Sequence, residues 1–203
     1  MESLLPEYSY HIYNHANGND ILFKEETNYL YFISKYEKYM SSVINTYAYC
    51  LMPNHFHILV TLKAEGEIFS TIDKSHVIEK YNSLTTATEK ENYLSLFVSK
   101  QFSNLFSSYT QAFNKKYKRM GSLFMKNFKR KLVNDDNYFV DLIKYIHINP
   151  VKDGFVKKPE DWKYSSYNTI LSDELSFLKR DEVIDLFGDE ENFKFCHKKL
   201  VDI

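Results

Sequence analysis

The sequence predicts an α+β protein with a ferredoxin-like split βαβ fold. In this fold a central antiparallel sheet carries helices on one face, and here a small C-terminal helical extension follows. The main observation is the order of the patterned segments, which is strand, helix, strand, strand, helix, strand, helix. A length of 203 residues with 44% hydrophobic content allows one domain with a sizeable core. No apolar run approaches the roughly 18 residues that a membrane span requires, so no membrane partner is expected.

A strand and a helix are predicted at the start of the chain. Residues 8–14 are rich in Tyr and Ile, which favours a strand. Residues 17–20 are polar and include a glycine, which predicts a turn. Thr27 can cap a helix that runs to Met40, because apolar residues recur there near helical spacing.

Two adjacent strands and a long loop are predicted next. Residues 44–51 and 55–62 have strand composition, and the short Pro53-Asn54 connection joins them tightly. Residues 63–91 are polar and weakly patterned, so they are predicted to form a long loop with a helical turn at most. Such loops are uncommon unless they are functional or mobile.

The second half of the chain is predicted to be mainly helical. Residues 93–118 have the pattern of a long helix, and residues 123–133 can contain a fourth strand. A further helix that starts at residue 135 or 136 should end near Asn149, because Pro150 disfavours its continuation. Two short helical patterns lie within residues 168–203, which we expect to form the C-terminal extension.

The charge distribution is uneven although the net charge is only −1. Residues 92–134 contain no Asp or Glu, and aromatic residues alternate there with basic ones. Such a segment suits unpaired nucleic acid, although an ordinary solvated basic face would have the same composition. The candidate DNA-binding residues are Lys115, Lys116, Lys118, Arg119, Lys126, Lys129, Arg130 and Lys131.

The cysteine content predicts a reducing compartment. Only Cys50 and Cys196 are present, which does not suggest a disulfide framework. Residues 1–6 lack a basic region followed by an apolar core, so we expect no secretory signal and a cytoplasmic location.

A pair of histidines is the first candidate for chemistry. His55 and His57 flank Phe56 within the predicted third strand, so both imidazoles project from one face of the sheet. Two imidazoles in this arrangement can bind the same cation. Two partly exposed histidines without a metal are the alternative, and the pair alone does not decide between them.

A tyrosine on the last predicted helix is the second candidate. Tyr145 and Asn149 are four residues apart, so they share a helix face. Tyrosine can act as a covalent nucleophile, and the Asn149 amide oxygen can bind a cation. Since the chain has 17 tyrosines, a packing role for Tyr145 is the alternative. His147 points away from this face and is expected to be structural or exposed.

These segments together resemble the single-tyrosine HUH transposases. Residues 49–60, with their histidine-hydrophobic-histidine run, look like the metal-binding segment of that family. Residues 145–154 are similar to the tyrosine segment of its REP-associated branch. Residues 113–124 and 162–166 also resemble that branch. The match covers residues 8–167 in the family's order, whereas Asn14-His15 departs from the Asn-Arg pair that many members have after the first strand.

The resemblance implies a metal-dependent DNA-nicking enzyme. Tyr145 would be the nucleophile, His55 and His57 would bind Mg²⁺ or Mn²⁺, and Asn149 would take the position of a third amide ligand. The substrate would be single-stranded or hairpin DNA, cut through a 5′-phosphotyrosine without a nucleotide cofactor. Residues 1–167 would form the catalytic domain, working as a monomer or a homodimer. A metal-dependent phosphodiesterase that activates water and a non-catalytic DNA- or RNA-binding module are the alternatives.

Overall fold

A four-stranded antiparallel sheet lies at the centre of the structure, a computed structural model that describes residues 2–71 and 75–198. Its strands are β1 (Ser9–His15), β2 (Ile44–Met52), β3 (His55–Leu62) and β4 (Lys129–Val133). Their order across the sheet is β2-β3-β1-β4, and each neighbouring pair is antiparallel. The predicted α+β class and split βαβ arrangement are therefore confirmed.

Two long helices cover one face of this sheet. They are α1 (Glu26–Met40) and α4 (Ala87–Tyr117). Phe56 of β3 packs against both, with ring centroids 5.5 Å from Phe32 and 5.8 Å from Phe106. The predicted cap of α1 was wrong, because Glu25 rather than Thr27 occupies the N-cap position. Glu25 and Asn28 form a reciprocal capping box, which satisfies two backbone N–H groups at the helix start.

The last long helix, α5 (Asp136–Lys152), lies against the opposite face. Its Tyr145 ring approaches His57, whereas the neighbouring Phe56 faces α1 and α4. Since adjacent strand residues point to opposite faces, the sheet has helices on both sides. The prediction of helices on one face therefore holds for α1 and α4 only, because the split βαβ pattern specifies the two crossover helices and not the helix after β4.

Helix α5 also continues through Pro150, so the predicted end at Asn149 was wrong. A proline lacks the N–H that would bond to the carbonyl four residues earlier, but this removes one hydrogen bond only. The following turn is still satisfied, because Asp153 donates its backbone N–H to the Asn149 carbonyl. The Pro150 carbonyl accepts from Phe155 and Val156, which ends the helix one turn later than expected.

Residues 63–91 are mostly helical, which corrects the predicted loop. Helices α2 (Glu65–Thr71) and α3 (Ser75–Asn82) lie within this segment, and α4 already starts at Ala87. Only Ile68 is buried in α2, and α3 buries Val77 and Tyr81. One or two buried side chains per helix leave too weak a periodicity for recognition from the sequence.

The C-terminal segment packs against α5 and the outer strand β2. It contains a 3₁₀ turn (Pro159–Asp161) and helices α6 (Tyr167–Ile170), α7 (Arg180–Phe187) and α8 (Glu190–Lys198). The backbone N–H of Lys179 donates to the carbonyl of Thr46 in β2. Within residues 2–71 and 75–198, no helix is long and apolar enough to cross a membrane. Both cysteines are free thiols.

Candidate active site

Four histidines and a tyrosine lie on the sheet face that α5 crosses. In the register of β1 and β3, His15 stands opposite His55 and Tyr13 stands opposite His57. The His55 and His57 rings are 5.1 Å apart between centroids, and the His15 ring stacks on His55 at 4.7 Å. Residues that are paired across antiparallel strands project from one face, so this cluster follows directly from the strand register. The predicted strand placement of His55 and His57 is confirmed.

Hydrogen bonds fix how the two candidate ligands present their ring nitrogens. The Nδ1 atom of His55 lies 2.8 Å from the Asn54 Oδ1 atom, which can only accept, so Nδ1 carries the proton. The Nδ1 atom of His57 lies 2.9 Å from the Nε2 atom of His11. Both histidines therefore have Nδ1 engaged by a neighbour and Nε2 left for a ligand. A metal-binding histidine usually has its second nitrogen held in this way.

Three histidines of this face, His11, His55 and His57, are held in the neutral form. Burial lowers the pKa of His57 to about 3, and the nearby His11, His55 and His15 imidazoles lower it further. Burial, with repulsion from Lys131, lowers the pKa of His11 to about 4. The pKa of His55 is lowered by burial and by His15. Neutral imidazole is the form that binds metal ions, so these groups are ready to act as ligands at neutral pH.

Tyr145 of α5 lies over this cluster. Its ring centroid is 5.6 Å from that of His57 and 6.3 Å from that of His11, both edge to face. The residue is 37% exposed although α5 packs on the sheet. The Lys152 ammonium stands 5.1 Å from the ring centroid. Tyr145 is therefore accessible to a substrate and lies beside the paired histidines.

Asn149 lies one turn after Tyr145 and is buried. Its Nδ2 atom donates to the Tyr145 carbonyl at 2.9 Å, which leaves the Oδ1 atom as the free acceptor. Among the described residues, no group of three or more His, Cys, Asp or Glu could hold a metal ion. The donors available are thus two imidazoles and one amide oxygen. These are donor types that divalent cations accept, and Asn149 is placed by its position one turn after Tyr145.

A cleft of about 560 Å³ opens beside Tyr145. It is lined by His11, Tyr13, His57, Lys131, Tyr138, Asp141, Leu142 and Tyr145. Lys131 lies on the edge strand β4, and its Nζ atom donates to the Tyr138 hydroxyl at 3.2 Å. The cleft therefore joins aromatic faces and an ammonium group to the histidine cluster, a combination suited to bases and a phosphate.

Buried histidines also anchor the helix that carries Tyr145. His147 of α5 lies 2.9 Å from His197 of α8 and 2.7 Å from the Ser166 hydroxyl. His197 Nδ1 donates to the Phe193 carbonyl, so its Nε2 must accept from His147 Nδ1, and Ser166 must donate to His147 Nε2. Burial lowers the pKa of His147 and brings that of His197 to about 4. The expectation that His147 is structural is confirmed.

The eight candidate DNA-binding residues fall into two groups. Lys116 forms an ion pair with Glu25. Arg119 forms an ion pair with Asp20 and donates to the Gly121 and Ser122 carbonyls. Those two residues hold the end of α4 in place, and Lys115 and Lys118 lie in the same region.

The second group lies on β4 and the segment before it. Lys129 and Lys131 share the face of the histidine cluster, since they pair with Tyr13 and His11. Arg130 points to the other face, where its Nη1 atom donates to Ser99. Lys126 is exposed just before the strand. Of this group, Lys131 lines the cleft beside Tyr145, whereas Lys126 and Arg130 lie on the opposite side of the sheet.

The sequence interpretation missed His11 and left His15 without a role. Both are in β1, where His11, Tyr13 and His15 alternate along one face. The same alternation argument that selected His55 and His57 would have grouped them. It could not have shown that β1 and β3 are neighbours in the register that brings His11 to His57.

The fold and the site together define an α+β protein with a histidine pair on a central strand and a tyrosine on the helix after the edge strand. No family model matches the chain. Over 133 residues it is 27% identical to a Haemophilus influenzae protein classed as a REP-associated tyrosine transposase, covering 64% of this chain. The chain spans 62% of that relative's length. The match bears out the resemblance seen in the sequence.

A comparison with solved structures supports the α+β fold described above. The chain is similar to a REP-associated tyrosine transposase bound to a REP hairpin, with a TM-score of 0.58 and 16% identity. The similarity covers 87% of this chain and 86% of the other. At this identity the likeness supports the shared fold, and the roles of individual residues depend on the geometry described above.

Proposed function

We propose that this protein is a metal-dependent tyrosine transposase that nicks and rejoins single-stranded DNA next to a hairpin. The observation that carries this proposal is the position of the accessible Tyr145 ring, 5.6 Å from that of His57 on the histidine face of the sheet. The relatives, one classed as a REP-associated tyrosine transposase and one bound to a REP hairpin, support the hairpin substrate.

The proposed reaction is a phosphoryl transfer. The Tyr145 hydroxyl oxygen attacks the phosphorus of a DNA phosphodiester and loses its proton, while the bond to the 3′ oxygen breaks. The products are a 5′-phosphotyrosine and a free 3′-hydroxyl. Because the covalent bond conserves the energy of the phosphodiester, a second hydroxyl can later displace the tyrosine without a nucleotide cofactor.

The chain's own residues position the substrate for this attack. His55 and His57 would hold Mg²⁺ or Mn²⁺ through their Nε2 atoms, with the Asn149 Oδ1 atom as the third ligand. When bound, the cation polarises a non-bridging phosphate oxygen. Lys131 lines the cleft beside Tyr145 and Lys152 lies 5.1 Å from the centroid of its ring, and both charges attract the phosphate. Tyr13 and Tyr138 offer faces for stacking with an adjacent base.

The proposal also assigns a role to each of the two main segments of the chain. Residues 1–167 would carry the chemistry, and residues 168–203 would form a C-terminal extension whose described helices support α5. We propose that the protein works as a monomer or a homodimer, with Tyr145 and His57 of the same chain forming the site. The two free thiols agree with a cytoplasmic location.

Replacement of the nucleophile tests the proposal directly. The protein is incubated with labelled single-stranded hairpin DNA and Mn²⁺, and a covalent adduct is sought by denaturing electrophoresis. Tyr145→Phe should abolish the adduct and retain DNA binding. Tyr138→Phe is the matched control, because Tyr138 lines the same cleft and lies two turns earlier on α5.

Two results would contradict the assignment. An adduct that persists in Tyr145→Phe but is lost in Tyr138→Phe would identify Tyr138 as the nucleophile. Cleavage without an adduct in any variant would indicate a hydrolase that activates water.

A further inference from the structure

The turn of α5 beyond Pro150 brings a lysine to the candidate nucleophile. Lys152 is exposed, and its ammonium stands 5.1 Å from the centroid of the Tyr145 ring, which is within the range of a cation–π contact. Among the described residues no carboxylate forms an ion pair with Lys152, whereas Lys144 on the same helix is paired with Asp141. The contact of the Lys152 charge in the structure is therefore the Tyr145 ring.

The continuation of α5 through Pro150 is what places this ammonium. Tyr145, Asn149 and Lys152 have the spacing i, i+4 and i+7, which puts the three side chains on one stripe of the helix. A helix that ended at Asn149 would lose this alignment. The helix then ends directly after the lysine, because Gly154 adopts a φ of 75°, a left-handed conformation that glycine takes without strain.

The other groups that surround the Tyr145 ring have little free charge to offer it. These groups are His11 of β1, His57 of β3, Lys131 of β4 and Asp141 of α5. The two histidines are neutral, because burial lowers the pKa of both. Asp141 is paired with Lys144, and the Lys131 ammonium donates to the Tyr138 hydroxyl. Lys152 is thus the cation in contact with the ring of the nucleophile.

We propose that the Lys152 ammonium stabilises negative charge on the Tyr145 phenolic oxygen in both directions of the strand transfer. In cleavage this oxygen bonds to phosphorus, the bond to the 3′ oxygen breaks, and the phenol proton passes to solvent. In rejoining a 3′-hydroxyl oxygen bonds to phosphorus and loses its proton to solvent. The bond to Tyr145 then breaks, and the phenolate leaves with the electron pair and takes a proton from water.

The timing of this charge determines what Lys152 can change. Before cleavage the Tyr145 oxygen carries a proton, and after cleavage it is bonded to phosphorus. Its negative charge is therefore greatest in the transition state, where a fixed cation lowers the barrier. This inference rests on the proposed function and adds a catalytic role for Lys152. Attraction of the phosphate alone would change DNA affinity and leave the rates at saturating DNA unchanged.

The rate of rejoining by the isolated adduct measures the effect. The adduct is formed on labelled hairpin DNA with Mn²⁺, freed of the released strand, and mixed with saturating DNA that has a free 3′-hydroxyl. Lys152→Met should rejoin roughly 10- to 100-fold more slowly than the parent, less than the loss for a buried donor because Lys152 is exposed. Lys152→Arg should keep most of the rate, since a guanidinium stays charged and stacks on aromatic rings.

A matched control removes the same charge from a nearby position. Lys157 is exposed, follows α5 and is not among the residues that line the cleft beside Tyr145. Lys157→Met should therefore rejoin at the parent rate. Cleavage at saturating DNA should show the same order among the variants, because both directions pass through one transition state.

Fluorination of the nucleophile separates a charge effect from a displaced ring. Difluorotyrosine at position 145, with fluorine on the two ring carbons beside the carbon that bears oxygen, is a better leaving group because fluorine withdraws electrons. The deficit of Lys152→Met should then shrink severalfold, since the oxygen depends less on the cation. A displaced ring would give the same deficit with either residue.

Two results would overturn the assignment of Lys152. One is rejoining by Lys152→Met at the parent rate, and the other is an equal deficit with tyrosine and difluorotyrosine. A parent protein that forms no adduct would contradict the proposed function and, with it, this role.

Discussion

The Nε2 atom of His11 in β1 lies 2.9 Å from the Nδ1 atom of His57 in β3. Both side chains are buried, and no other strand separates them because β1 and β3 are neighbours. This contact engages the His57 Nδ1 atom, so the Nε2 atom is the ring nitrogen left for a metal ion. His11 is therefore a positioning residue for His57.

Loss of this contact should weaken cation binding. His11→Phe keeps a planar ring but removes the nitrogen, so we expect a 10- to 100-fold lower Mn²⁺ affinity, the usual effect of losing such a supporting contact. Isothermal titration calorimetry with Mn²⁺ measures the change. His11→Gln is the control, since its side-chain oxygen reaches nearly as far as Nε2 and should restore most of the affinity. Equal affinities for His11→Phe and the parent would refute the positioning role.

Replacement of both candidate ligands should separate binding from chemistry. His55→Ala with His57→Ala should abolish cleavage and leave much of the DNA affinity, because affinity derives mainly from phosphate contacts. Gel shift and cleavage assays on the same hairpin measure the two effects. His76→Ala is the control, because it removes an exposed imidazole on α3 that lies outside the histidine cluster, and it should cleave at the parent rate. Cleavage at the parent rate by the first variant would exclude the metal role.

The lysines on the histidine face should determine part of the salt dependence. Lys129→Gln with Lys131→Gln should reduce the slope of log K against log salt by roughly one to two, if both meet single-strand phosphates. Lys116→Gln is the comparison, because Lys116 is already paired with Glu25 and should leave the slope nearly unchanged. If the parent, the double variant and Lys116→Gln all show the same slope of log K against log salt, Lys129 and Lys131 do not contact DNA phosphates and belong to the ordinary solvated surface.

The buried pair of His147 and His197 should make stability depend on pH. The pKa of His197 is about 4 in the folded protein and near 6.5 when unfolded, so the unfolded state binds more protons between these values. The free energy of unfolding should therefore fall as pH drops from 7 towards 4. Urea unfolding at pH 7 and pH 5 measures this, and His197→Gln, which cannot titrate, should show a smaller decrease.

The same pair should contribute to stability at neutral pH. His197→Leu leaves the His147 Nδ1 donor buried without an acceptor, which should cost about 1–3 kcal/mol. The amide oxygen of His197→Gln can still accept from His147, so this variant should lose less. A His197→Leu protein as stable as the parent would show that the pair has no net effect.

Local sequence patterns were sufficient to predict the strands of the sheet and the two histidines that β3 contributes to the candidate site. The alternation around Phe56 placed His55 and His57 on one face, and their strand assignment is confirmed. The path of α5 across that face depends on packing between elements, which no local sequence pattern encodes. The end of α5 was predicted too early because Pro150 was expected to stop the helix. His11 was missed because its contact with His57 spans 46 residues and depends on strand register. The metal ligands and the nucleophile stay predictions that the experiments above address.

The contact between His147 and His197 also has a consequence for synthesis on the ribosome. The two residues are 50 positions apart, so at roughly 5–20 residues per second the tyrosine helix emerges some seconds before its anchor. Until then α5 can pack on the sheet but lacks its buried hydrogen bond to α8, so Tyr145 is held less firmly over His57. If the proposed function holds, a nascent chain should therefore form the adduct more slowly than the finished one. Stalled chains ending at residue 189 should form less adduct than stalled chains with residue 203 extended clear of the exit tunnel.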